Sequence, residues 1–227
     1  MIGTVVNTVC IILGSLIGLL CRGSIPHKYS QTTMHALGLA VVMIGLQTAL
    51  NTDAIVVVIC SLAIGSFLGG LLCIEDRLNR LGNWLGRKCS KDGQSVSKGF
   101  VNASLLFCIG AMAIVGSLES GLSGNHQTLF AKSVIDGITS ILFASTLGIG
   151  VLFSAVSVFL YQGLITITAS AVKEFLVPEV VSQMSAIGGL LIMAIGLGLL
   201  EIKKFKIGNM LPAIFIPFVY QIATRSF

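Results

Sequence analysis

Charged residues along the chain gather in short clusters, and the stretches between them are long and apolar. Residues 1–21, 54–74, 99–118, 137–172, 180–200 and 207–224 contain no Asp, Glu, Lys or Arg, and 29–52 contains none either, although His35 lies inside it. A helix crossing a hydrocarbon core of about 30 Å needs roughly 20 apolar residues. The run 137–172 is too long for one such helix and suits two joined by a tight turn. The pattern predicts eight spans, near 4–21, 33–51, 54–73, 99–118, 127–147, 150–171, 181–200 and 207–224. The runs are apolar all round rather than alternating, which excludes a transmembrane β-barrel. The expected fold is an all-α polytopic transmembrane bundle. The opening MIGTVVNTVCIILGSLIGLLC has no basic leader, so it reads as the first span rather than a cleaved signal.

Composition agrees with that class. Hydrophobic residues make up 55% of the chain and charged ones 10%, where a soluble domain carries about a quarter charged. The net charge of +5 reflects topology rather than affinity for nucleic acid, because the basic residues flank spans. The loop 74–98 holds Arg77, Arg80, Arg87, Lys88, Lys91 and Lys98. Placing it in the cytoplasm also puts Arg22, Lys28, Lys203, Lys204 and Lys206 inside and leaves Lys132, Lys173 and Arg225 outside or at depth. Both termini are then outside. In this loop Leu78, Leu81, Leu85 and the lone Trp84 fall at helical spacing, which predicts an amphipathic helix on the membrane surface. The six cysteines form no CxxC pair and lie in or beside apolar spans, so neither a disulfide framework nor a metal site is expected.

One segment returns. MHALGLAVVMIGL at Met34–Leu46 matches MSAIGGLLIMAIGL at Met184–Leu197 with one inserted residue. Under the eight-span topology these helices run in opposite directions. Spans 1–3 and 6–8 then form an inverted repeat, a common build for secondary transporters. This divides a single membrane domain into 1–73, the basic loop 74–98, a central hairpin 99–147 and 148–227. A second echo, VNTVCIILG at Val6 against VNASLLFCIG at Val101, fits a different pairing. Composition alone also makes such helices resemble one another.

Ionisable groups inside hydrocarbon are costly and mark function by default. Asp136 leads, four residues after Lys132 and beside Gly137. Two readings stand. Either the two form a structural ion pair with Lys132 snorkelling to water, or Asp136 is a coupling carboxylate with Lys132 as its counter-ion. Glu119 closes the fourth span, where Gly110, Gly116, Gly121 and Gly124 favour a close-packed or broken helix. Asn7 and Asn102 sit early in spans 1 and 4, and Asn209 opens span 8 ahead of Pro212 and Pro217, which favour a kink. The candidate binding set is therefore Asp136, Lys132, Asn7, Asn102, Asn209, Glu119, Gly110 and Gly137. The pairs Gly14–Gly18 and Gly65–Gly69 have GxxxG spacing, which serves either internal packing or a homodimer.

The runs GAMAIVGSLESGL, KSVIDGITSILFASTLGIGVLFSA, YQG and IKKFKIGNMLPA, with IGTVVN and GGLLIMAIGLGLLEIKK, resemble the YqgA/YdfK-like bacterial inner-membrane proteins, domain of unknown function 554. The likeness spans the whole chain. It implies a protein of the bacterial cytoplasmic membrane, described only as a candidate transporter, and supplies neither substrate nor coupling ion. The residues themselves show no HExxH, P-loop, GxSxG or paired intramembrane aspartates, so an enzyme is not expected. No cofactor is expected either. The expectation is a secondary transporter of a small solute, coupled to Na⁺ or H⁺. A channel, or a scaffold whose basic loop docks a partner or anionic lipid, is the alternative.

Overall fold

The computed structural model describes residues 1–21, 27–80, 93–108, 111–172 and 175–225. All regular structure among them is helical: α1 (Ile2–Cys21), α2 (His27–Ala49), α3 (Ile55–Leu71), α4 (Ile74–Arg80), α5 (Gly93–Cys108), α6 (Ala111–Leu122), α7 (Gln127–Leu147), α8 (Gly150–Val172), α9 (Pro178–Leu199), α10 (Ile207–Met210), a 3₁₀ turn (Leu211–Phe215) and α11 (Ile216–Arg225). Four helices are long and apolar enough to cross a bilayer: α1, α7, α8 and α9. The number rises to six if α3 with α4, bent by 56°, and α5 with α6, bent by 59°, each count as one broken span. Met34–Ala49 and Ile207–Ala223 are apolar but shorter. The stretch 127–171 is two full-length helices rather than one, and α7 runs unbroken through Asp136 and Gly137.

The chain divides into two units. The first contains Met1–Met34, Leu78–Cys108 and Met112–Ser170; the second contains His35–Arg77 and Ala171–Phe227. Each therefore combines helices from separate parts of the sequence. In the first unit α1 lies parallel to α7, with Gly3 against Leu129, Gly14 against Gly137 and Gly18 against Ile141. A Cβ at Gly14 would overlap the Gly137 carbonyl, and one at Gly18 the Ile141 carbonyl. The Gly14–Gly18 pair is thus used for packing inside the chain, where small residues let helix backbones touch. The pattern on α7 is polar inward and apolar outward. Leu129, Lys132, Ser133, Asp136, Ser140 and Phe143 recur every three or four residues on the buried face, while Phe130, Val134, Ile138 and Leu142 are exposed. That arrangement suits a helix whose outer solvent is lipid.

In the second unit α9 is the core, with Gly188, Gly189 and Gly196 and Ile187, Leu191, Ile192 and Ile195 buried. It runs antiparallel to α2: Gly38 lies against Gly196 and Leu200, and Gly45 against Gly189 and Met193. Antiparallel to α3 lies the final broken segment, with Gly65 against Ala213 and Gly69 against Asn209. The second GxxxG pair is thus also used internally. Pro212 and Pro217 cannot supply backbone N–H groups, and the helix is interrupted there by the 3₁₀ turn. The amphipathic helix expected around Trp84 lies mostly outside the described residues; only its beginning, α4, is described.

Candidate functional site

Asp136 stands midway along α7, facing the interior of the first unit. Lys132 is one turn earlier on the same face, the spacing at which helical side chains meet. Its Nζ donates to Asp136 Oδ1 at 2.8 Å and to Oδ2 at 2.6 Å. The two side chains are only 8% and 6% exposed. Lys132 therefore does not snorkel to water but is turned inward onto the carboxylate. A buried pair of this kind persists only where further hydrogen bonds satisfy what the salt bridge leaves over.

One such bond comes from α1, and α8 is reached through it. Asn7 of α1 donates from Nδ2 to Asp136 Oδ2 at 3.0 Å and to Gln162 Oε1 of α8 at 3.3 Å. Both amides are fully buried. Near them Thr4 and Thr166 bring their hydroxyls to 3.5 Å. The network is incomplete: Asn7 Oδ1 and Gln162 Nε2 are buried with no hydrogen-bond partner. An unmade bond at a buried polar atom costs about 1–3 kcal/mol, so both amides retain hydrogen-bonding capacity beside the ion pair. The Cys108 thiol on α5 also lies close enough to feel both charges.

The structure thus brings Asp136, Lys132 and Asn7 together and sets Gly137 against Cys10 of α1 at the same crossing. The other predicted residues stand apart. Asn102 is half-buried on α5, and none of the bonds of this network reaches it. Glu119 accepts from Thr128 Oγ1 at 2.7 Å across the α6–α7 turn, beside a 2.9 Å contact between Ser120 and His126. Thr128 is eight residues from Asp136, or about 12 Å along the helix. Gly110 lies outside the described residues. Ser140, Ser145, Thr146 and Ser154 bond carbonyls of their own helices. Gln162 and Thr166 escaped the sequence reading, although a glutamine inside an apolar span is the signal that marks such a position.

Asn209 belongs to the second unit and has a different task. Its Oδ1 accepts the Glu75 backbone N–H at 2.8 Å, and Glu75 Oε2 accepts the Gly208 N–H at 2.6 Å. Each side chain satisfies an orphan donor at the start of the other's helix, where a helix has unpaired N–H groups. Glu75→Ala and Asn209→Ala should each lower stability by about 1 kcal/mol. The double variant should cost less than the two together, because the bonds share one geometry. Denaturant unfolding of the purified variants checks this.

Comparison with known proteins was made on the whole chain. The family model "Protein of unknown function (DUF554)" matches residues 2–222. The chain is similar to "Uncharacterized membrane protein YdfK" of Bacillus subtilis (strain 168), 38% identical over 231 residues, covering 100% of this chain and 98% of that protein. It is also similar to "Uncharacterized protein YqgA" of Escherichia coli (strain K12), 27% identical over 220 residues, covering 95% and 94%. No solved structure matches it. With its apolar helices and a relative named as a membrane protein, the chain is a membrane protein and belongs to the DUF554 family.

Proposed function

We propose that the protein is a small secondary transporter of the bacterial cytoplasmic membrane, moving a small solute by alternating access under an ion gradient. The observation that carries this is the Lys132–Asp136 pair, buried in a membrane unit and bonded to the Asn7 amide, which in turn bonds Gln162, both amides having unmet capacity. A pair needed only for stability is better replaced by packed apolar residues, which are often neutral or stabilising. Its presence in an apolar bundle favours a role for its charge. Asp136 is the coupling group, taking a proton or Na⁺; Asn7 and Gln162 face the solute.

Alternating access needs two pseudo-equivalent arrangements, and the second unit supplies support. Gly38 and Gly189 are 151 residues apart, as are Gly45 and Gly196. A twofold rotation exchanging them maps the contact of Gly38 with Gly196 onto that of Gly189 with Gly45. The match of Ile44, Gly45 and Leu46 to Ile195, Gly196 and Leu197 has the same offset. Met34, Ala36, Gly38 and Met43 match at an offset of 150, so the later part of the echo shares the packing register, which supports reading the two helices as an inverted pair. Counting the two bent pairs and the two shorter apolar helices as spans gives eight crossings, with the basic loop inside.

Proteoliposomes holding the full chain should accumulate at least one solute from a defined metabolite mixture under an inward proton or sodium gradient, as read by mass spectrometry. Empty liposomes and the Asp136→Asn protein should not. No accumulation by the intact protein under either gradient contradicts the reading.

A further inference from the structure

We propose that the cargo is a small carboxylate that enters with one proton: the proton joins Asp136, and the carboxylate takes over the Lys132 ammonium that Asp136 releases. This rests on the transporter reading above and names its substrate class. The argument is one of charge and hydrogen-bond inventory.

As the structure stands, two protons of Lys132 Nζ are held by the two Asp136 oxygens. A proton placed on Asp136 neutralises it and leaves a buried ammonium without an anion, a state that costs several kcal/mol. A small anion entering with the proton removes that cost. The site keeps its net charge: one proton and one carboxylate arrive together, Lys132 stays protonated, and no covalent bond changes except the new O–H on Asp136. Transport is then electroneutral.

The two unmet atoms fit these roles. Gln162 Nε2 is a buried donor with no partner on the amide that Asn7 links to Asp136, and it offers an anion a second set of N–H bonds. A carboxylate accepts such bonds and a cation cannot. Asn7 meets the other requirement. Its Nδ2 donates to the ionised Asp136, while its unpartnered Oδ1 accepts the O–H of the protonated form after the amide turns over. An amide neighbour can serve both protonation states of a carboxyl; a hydroxyl or apolar side chain serves them less evenly. The other titratable side chains that the described residues bring to this part of the unit are the thiols of Cys10 and Cys108 and the phenol of Tyr161.

The test uses purified full-length protein and the smallest carboxylates, formate and acetate, with formamide and acetamide as uncharged counterparts and chloride at equal ionic strength. Asp136→Asn mimics the protonated state and leaves Lys132 without its anion. Its melting temperature should rise by about 3–5 °C with formate or acetate near tenfold above the dissociation constant, and not with the amides or chloride. Lys132→Met/Asp136→Asn should show no rise. Because Asp136→Asn could fail to fold, the intact protein is measured as well: its carboxylate-induced rise should grow from pH 8 to pH 5, since binding is linked to proton uptake. Equal rises with amide and carboxylate, or a rise in the intact protein that does not depend on pH, overturn the proposal. Accumulation of a cationic or uncharged solute in the flux assay overturns it too while leaving the transporter reading intact. Carboxylate binding without any gradient-driven flux has the opposite consequence.

Discussion

Lys132→Met is expected to cost about 3–5 kcal/mol of stability, because it leaves Asp136 as a buried charge without a cation. For a chain of this length that is a fall of about 6–20 °C in melting temperature. The double variant Lys132→Met/Asp136→Leu should recover most of the loss, since two apolar side chains of similar volume need no desolvated partner. The asymmetry separates the two explanations of the pair. A structural clamp would make the double variant a working protein. A coupling pair makes it a stable protein that no longer responds to a gradient. Melting curves and gradient-driven uptake on the same three preparations distinguish them.

Gly14→Leu should be among the most damaging single changes in α1. Its Cβ would overlap the Gly137 carbonyl and come within 3.1 Å of Ser140 Cβ. Overpacking against side chains typically costs about 1–3 kcal/mol; here the obstacle is backbone, which cannot change rotamer, so the cost belongs at or above the top of that range. The helices must separate. Asn7 is seven residues away on the same face, so its 3.0 Å bond to Asp136 lengthens with them. Activity should fall further than stability alone explains. Leu16→Ala, whose side chain is 44% exposed on the lipid-facing side, is the control and should cost less than about 1 kcal/mol. Thermal denaturation and uptake measured together check both variants.

The membrane class, the pairing of Lys132 with Asp136 and the interruption at Pro212 were legible in the sequence, because each rests on local rules: run length, helical spacing and a missing N–H. The destination of Lys132 was not. Whether its side chain turns to water or to the carboxylate depends on what covers α7, and α1 and α8 cover it from 129 and 26 residues away, taken from Asp136 to Asn7 and to Gln162. The same limit hid Gln162 and the Glu75 partner of Asn209. A polar residue at depth announces that it needs a partner, but the partner is chosen by packing. The uses of Gly14–Gly18 and Gly65–Gly69 were undecided for a related reason: GxxxG spacing specifies close approach and leaves open which helix approaches. The number of spans was read as eight from hydropathy, whereas bends at Leu72–Cys73 and between α5 and α6 divide the helices, so that four to six meet a length criterion. Cys73 at φ 49° takes the left-handed conformation that breaks a helix.

The most direct measurement separates net transport from exchange in the Asp136→Asn protein. A coupling carboxylate is needed to convert a gradient into accumulation, but not to carry solute down its own gradient. Proteoliposomes with Asp136→Asn should therefore keep solute exchange within about threefold of the intact protein, since the substitution preserves shape and one amide proton remains to bond. Gradient-driven accumulation should disappear. Accumulation by Asp136→Asn at the level of the intact protein, under either a proton or a sodium gradient, would contradict the account.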